Sequence, residues 1–306
     1  MATKKSKTAS KSTKTSSTKS KTAAKPAVKS EIEAPKTNKV EKTTKKSCLS
    51  GFFAKKYEGK ESILTVFKNP KFYGALLGEV IGTLLLTLLI FAVLPFQGGV
   101  YNIINHVFAV IAVLVAIYAF SGACLNPLIT VGMMASRRLS VIRGIMYIIA
   151  EVVGAWLGWM IINGFHLAGG ETAMDLPQMS TLAEGGFWPV VMVELLGAIV
   201  IAFFFARALQ YKRSVFTFAA VVAGGIALAT VVGYVASAGF LGVSNNFVMN
   251  PAVALMLQIF PTAGDSFGEI LGGICQALSI YAIFPMVGGV IGFYLSDFTS
   301  KLSSEE

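Results

Sequence analysis

The chain has 306 residues, 54% of them hydrophobic and 14% charged, with a mean hydropathy of +0.67. A soluble domain carries about a quarter charged residues, so this composition excludes an ordinary soluble enzyme or binding module. The formal net charge of +10 is held unevenly: residues 1–72 contain nineteen Lys and five Glu, while the rest contains seven basic and eleven acidic residues. Three Cys (Cys48, Cys124, Cys275) and two His (His106, His166) show neither metal-ligand spacing nor a disulfide framework, so no metal or other cofactor is expected. With no nucleophile–base pair and no phosphate loop either, the expectation is that the protein is not an enzyme.

Residues 1–60 mix Lys, Ser, Thr and Ala with almost no large apolar side chains. Such a segment cannot bury enough surface to offset chain entropy and is expected to be a disordered tail. It lacks the apolar stretch of a cleavable signal. Its Lys residues suit contact with anionic lipid, or simple solvation that keeps the N-terminus inside. No aromatic interleaving accompanies the charge, so no specific nucleic acid is expected.

Six long apolar segments follow, Phe72–Leu94, Asn102–Phe120, Val141–Gly164, Phe187–Leu209, Val215–Ala236 and Phe267–Ser296. Roughly twenty residues suffice to span a bilayer, so the fold class is an all-α membrane protein. Two shorter apolar segments, Pro127–Ala135 and Pro251–Phe260, are too short to cross and read as re-entrant half-helices. Each starts with Asn followed by Pro: Asn126-Pro127-Leu128 and Asn250-Pro251-Ala252. Asn before Pro at a first helical position is a helix N-terminus signal. A helix beginning at membrane depth aims its positive dipole end and unpaired N–H groups at whatever lies there.

Arg137, Arg138 and Arg143 lie between the second and third spans, Arg207, Lys212 and Arg213 between the fourth and fifth, and Lys301 after the sixth. The opposite loops hold Glu171, Asp175, Glu184, Asp265 and Glu269 and no Lys or Arg. The positive-inside rule then places both termini in the cytoplasm, in a multi-pass protein of the plasma (inner) membrane. The first and fourth spans open alike, with Glu79-Val80-Ile81-Gly82 and Glu194-Leu195-Leu196-Gly197, and an Asn-Pro start follows two spans after each. An odd number of spans per half inverts the second half, so the half-helices enter from opposite faces and meet near the centre. Glu79 and Glu194 are costly in lipid and should face the interior. An Asn that caps a half-helix spends its carbonyl locally and leaves its NH2 as a donor.

These residues carry a family resemblance. Ser121-Gly122-Ala123-Cys124-Leu125-Asn126-Pro127-Leu128-Ile129-Thr130 and Phe247-Val248-Met249-Asn250-Pro251-Ala252 resemble the two signatures of the aquaporin (major intrinsic protein) family. Gly78-Glu79, Ala150 to Ala155, Gly225 to Leu228 and Pro285 to Gly289 resemble its other landmarks. The likeness implies an aquaporin-like channel domain over 61–300, with repeats at about 73–164 and 187–296, and a homotetramer. It also implies that Glu79 and Glu194 brace the re-entrant loops. Glu151 stands where the family usually has Gln, and Leu128 replaces the usual Ala.

The resemblance further implies a selectivity filter at His106, Val232, Phe247 and Val253, with Val253 in place of the family's Arg. Val232 and Val253 read equally as core valines, Phe247 as a loop-packing residue and His106 as an interfacial one. A filter without Arg discriminates less against solutes larger or less polar than water. The His–Val combination resembles plant tonoplast channels that pass ammonia and urea, and Phe247-x-Met249 resembles glycerol facilitators. The expected function is passive passage of water and small neutral solutes, with membrane lipid as the other partner. The alternative is an ion-coupled inverted-repeat transporter working through Glu151 or Glu79.

Overall fold

A computed structural model describes residues 61–93, 100–169, 187–210, 214–236, 247–258 and 266–303. The chain divides into two units, Met1–Thr44 and Lys45–Glu306, and the first lies outside the described residues. So do the remainder of the Lys-rich tail to residue 60 and the loop residues Glu171, Asp175, Glu184, Lys212, Arg213 and Asp265.

Every described element is helical. In chain order they are α1 (Ile63–Phe67), α2 (Pro70–Val93), α3 (Val100–Ser121), α4 (Pro127–Ala135), α5 (Val141–Ala168), α6 (Phe187–Gln210), α7 (Val215–Tyr234), α8 (Pro251–Gln258), α9 (Phe267–Leu278) and α10 (Phe284–Leu302). Six helical stretches of 18 to 32 residues are long and apolar enough to cross a membrane. They are α2, α3, α5, α6, α7 and the last stretch carried by α9 and α10, so this is an integral multi-pass membrane protein. The half-helices α4 and α8 start at Pro127 and Pro251, the residues whose ring fixes φ in the helical range and whose missing N–H costs nothing there.

The packing repeats between the halves. α2 lies against α5 and α3 as α6 lies against α10 and α7, and α3 meets α7 across the middle. Each half-helix also packs against a span of the other half: α4 on α10 and α8 on α5. The main core runs through both halves, from Leu86, Val110 and Leu125 to Ala198, Phe205 and Phe293. Many large apolar side chains remain on the outside, among them Phe108, Phe165, Trp188 and Phe216. In water that would be a liability, whereas a bilayer solvates it.

Two features depart from the sequence expectation. The last span is not one helix: a π-helical turn, Ser279–Ile283, separates α9 from α10. Pro285 explains its place, because its ring excludes the ordinary bond to the carbonyl of Tyr281 and an inserted wide turn absorbs the mismatch. The short helix α1 precedes the first span, tucked in by buried Val66 and by Tyr73, whose hydroxyl donates to the Phe67 carbonyl at 3.1 Å.

Charged groups tie this end of the bundle together. Arg143 donates to both oxygens of Glu61, and Ser140 Oγ donates to Glu61 Oε2 at 2.6 Å. Arg138 pairs with Asp297, which also accepts from Gln210, and its guanidinium lies 5.6 Å from the Phe293 ring centre. The Arg143 guanidinium holds the Glu61 carboxyl below the usual carboxylate range. A lowered folded value means stabilisation present above the ordinary value of 4.5 and lost as pH falls through the lowered one. Glu61→Gln should therefore reduce stability by about 0.5–1 kcal/mol at neutral pH, as for other accessible ion pairs. Thermal unfolding in detergent checks this, and the gap from wild type should close in acid. A gap that persisted there would assign the effect to packing.

Candidate functional site

The two re-entrant loops reach the middle of the molecule by the same backbone route. Leu125 and Met249, each just before an Asn, have φ of 53° and 52°. Ala123 lies in the same left-handed region at 56°. Each such non-glycine residue costs about 1 kcal/mol or more, so something must hold the conformation.

What holds it is the Glu-x-x-Gly element. Glu79 accepts from the N–H groups of Cys124 and Leu125 at 3.2 and 2.7 Å. Glu194 accepts from those of Val248 and Met249, at 2.6 Å from Val248 to Oε1 and 3.0 Å from Met249 to Oε2. Both carboxyls are wholly buried. In each half the acceptor serves the two residues immediately before the Asn. The glycine one turn on makes room for the left-handed residue itself. A Cβ at Gly82 would sit 2.3 Å from Leu125 Cδ2, and one at Gly197 would sit 2.1 Å from Met249 Cε.

The asparagines are used twice. Asn126 Oδ1 accepts from Leu128 N and Asn250 Oδ1 from Ala252 N, both at 3.1 Å, which caps α4 and α8. Only a backbone N–H is needed from the third residue of the motif, so Leu128 serves as well as Ala252. Both of those side chains are fully buried. Asn126 Nδ2 then donates to the Met249 carbonyl at 2.9 Å, and Asn250 Nδ2 to the Leu125 carbonyl at 3.2 Å. The sequence reading leaves the whole NH2 free; the structure spends one N–H of each amide on the opposite loop and leaves one.

That remaining pair of donors stands at the wall of a cavity of about 70 Å³, lined by both asparagines and by apolar side chains that include Leu86, Val110, Ile201, Phe205 and Val222. About 10–15 Å³ of such space is needed to hold one water, so the cavity suits a few water-sized molecules. His106 also lines it, and its Nδ1 is buried without a hydrogen-bond partner among the described residues. Val232, Phe247 and Val253 are not among its lining residues. Val253 is wholly buried with Ala155, Ala252 and Met256, Phe247 packs edge-on to Tyr234 with ring centres 5.2 Å apart, and Val232 is half-buried in α7. Among the described residues no group of His, Cys, Asp and Glu could hold a metal ion.

Two inverted halves of three spans and a half-helix, joined through a polar pair at the centre, define a membrane channel of the inverted-repeat class. The family model described as Major intrinsic protein matches residues 66–295, and the chain belongs to that family. Aquaporin-4 of Mus musculus is 26% identical over 255 residues, covering 78% of this chain and 72% of the relative. Aquaporin-1 of Sus scrofa is 25% identical over 179 residues, covering 58% and 59%. The X-ray structure of the aquaglyceroporin from Plasmodium falciparum shares the fold with a TM-score of 0.50 at 18% identity, covering 74% of this chain and 95% of that one.

The role of the Glu-x-x-Gly element can be tested in both halves. Gly82→Val and Gly197→Val should each lower stability by about 1–3 kcal/mol, the usual cost of overpacking, measured by thermal unfolding in detergent. The two losses should be of similar size. A loss confined to one half would show that the paired geometry does not carry the fold.

Proposed function

We propose that the protein is a passive channel for water and small neutral solutes, with Asn126 and Asn250 as the donors that orient the permeating molecule. The observation that carries this is the pair of half-helix N-termini joined through their asparagines beside a narrow, mostly apolar cavity. One N–H from each amide suits the oxygen of water or of a small polyol, urea or similar solute. The facing dipole ends oppose cations and protons. Among the residues expected at the filter, His106 has the strongest support, since it meets the cavity with an unpaired nitrogen. Val232, Phe247 and Val253 remain filter candidates from motif matching. The coupled-transporter reading is not favoured by family membership.

In this reading Glu79 and Glu194 are loop-bracing residues and residues 61–300 form the channel domain. The cytoplasmic placement of the termini, residence in the plasma membrane, a homotetramer and lipid contact by the Lys-rich tail belong to the same proposal.

Stopped-flow light scattering on proteoliposomes tests it. Shrinkage should be faster than in empty vesicles and followed by re-entry of glycerol or urea; shrinkage no faster than in empty vesicles would sink the idea. His106→Ala should raise solute flux relative to water flux. Val253→Arg should lower solute flux more than water flux, and equal effects on both would place residue 253 outside the filter.

A further inference from the structure

Behind the first re-entrant loop the structure holds a second buried carboxyl that the channel reading leaves without a task. Glu151, on α5, is wholly buried, as are Glu79, Thr83 and Thr130 around it. Its Oε1 accepts from Thr130 Oγ1 at 2.6 Å. Its Oε2 is buried with no hydrogen-bond partner among the described residues. What it faces is Glu79: one turn along α5 a Cβ at Gly154 would sit 2.3 Å from the Val80 carbonyl, so the two helices touch at this level and bring the buried carboxyls against each other. Two carboxylates can only accept, so a hydrogen between them is what satisfies this arrangement. Both would otherwise carry charge in a site with no cation to pair them. Thr83 Oγ1, one turn along α2 from Glu79, is a further buried oxygen without a partner.

We infer that Glu151 is a carboxylic acid whose O–H donates to Glu79, so that the two side chains bind one proton and carry one negative charge between them. Glu151 is then a positioning residue. It leaves Glu79 as the single carboxylate that accepts from Cys124 and Leu125 and holds the left-handed turn before Asn126. The groups facing the pair are Ser121 at the end of α3, Cys124 and the Asn126 N–H in the loop, Thr130 on α4 and Tyr147 on α5 itself. None of them is a cation, and neither α1 nor α8, which also pack on α5, brings a charged side chain. The second half differs: Glu194 accepts from Val248 and Met249, and no second carboxyl faces it among the described residues. Loss of the shared proton to an outside base would set two negative charges against each other under the first loop alone.

The test uses the full chain reconstituted in lipid. Infrared difference spectroscopy of wild type against Glu151→Gln at neutral pH should show the C=O stretch of a buried protonated carboxyl, shifted in D2O, that the substitution removes. The amide of that variant supplies a permanent donor in place of the acid, so it should conduct water at the wild-type rate at neutral pH. On alkalinisation wild-type water flux should fall severalfold while the variant stays flat. No such band in wild type, as expected if a water or a monovalent cation sat there instead, overturns the inference. So does a carboxyl region of the spectrum that the substitution leaves unchanged, or a variant that follows the wild-type pH profile. The flux arm rests on the channel reading, but the infrared arm does not. A protein that conducts nothing yet shows the Glu151-dependent band would refute the channel and keep the proton.

Discussion

A chain that turns back halfway through a membrane must leave backbone N–H groups unpaired in a largely apolar interior, and a buried carboxylate in each half removes that cost. Glu79 and Glu194 each accept from two consecutive N–H groups of an otherwise irregular segment. Without such an acceptor each orphaned group would cost about 1–3 kcal/mol on top of the left-handed backbone beside it. The rest follows from that anchoring. With the loops fixed, the Asn side chains can cap their half-helices and still cross to the other loop, and the helix N-termini meet at a defined point.

In the proposed channel the same arrangement would let a rather plain apolar lumen select. Most of the cavity wall is aliphatic or aromatic and offers a permeating molecule no hydrogen bonds. Polar contact is confined to a few points, chiefly the two amides and His106. On the proposed reading, a solute that gives up its hydration would recover it there, one molecule at a time.

Much of this was legible in the sequence. Asn followed by Pro marks a helix start by local chemistry alone, and α4 and α8 begin at the residues that rule names. The six spans follow from length and apolarity, and the repeated Glu-x-x-Gly spacing places an acceptor and a gap on one helix face. The rest depends on partners far along the chain. The Asn126 to Met249 and Asn250 to Leu125 bonds join residues more than a hundred positions apart, and no periodicity encodes them. The π turn comes from Pro285 acting inside a long helix, where the apolar pattern is unbroken. The facing of Glu151 and Glu79 needs the α2–α5 packing to be known. The departure from Gln at position 151 was visible, but its meaning was not.

The exchange of hydrogen bonds between the two loops has a consequence for how the protein is made. Each asparagine needs a carbonyl that belongs to the other half, so neither loop can reach its final hydrogen-bonded form when only the first three spans have entered the membrane. The first loop must wait, partly unsatisfied, until the second half is synthesised and inserted in the opposite sense. Glu79 is available from the outset, because it lies in the first span and precedes the loop it binds. Assembly therefore has a natural order, with the carboxylate holding the first turn during translation and the reciprocal amides closing only as the last helices arrive.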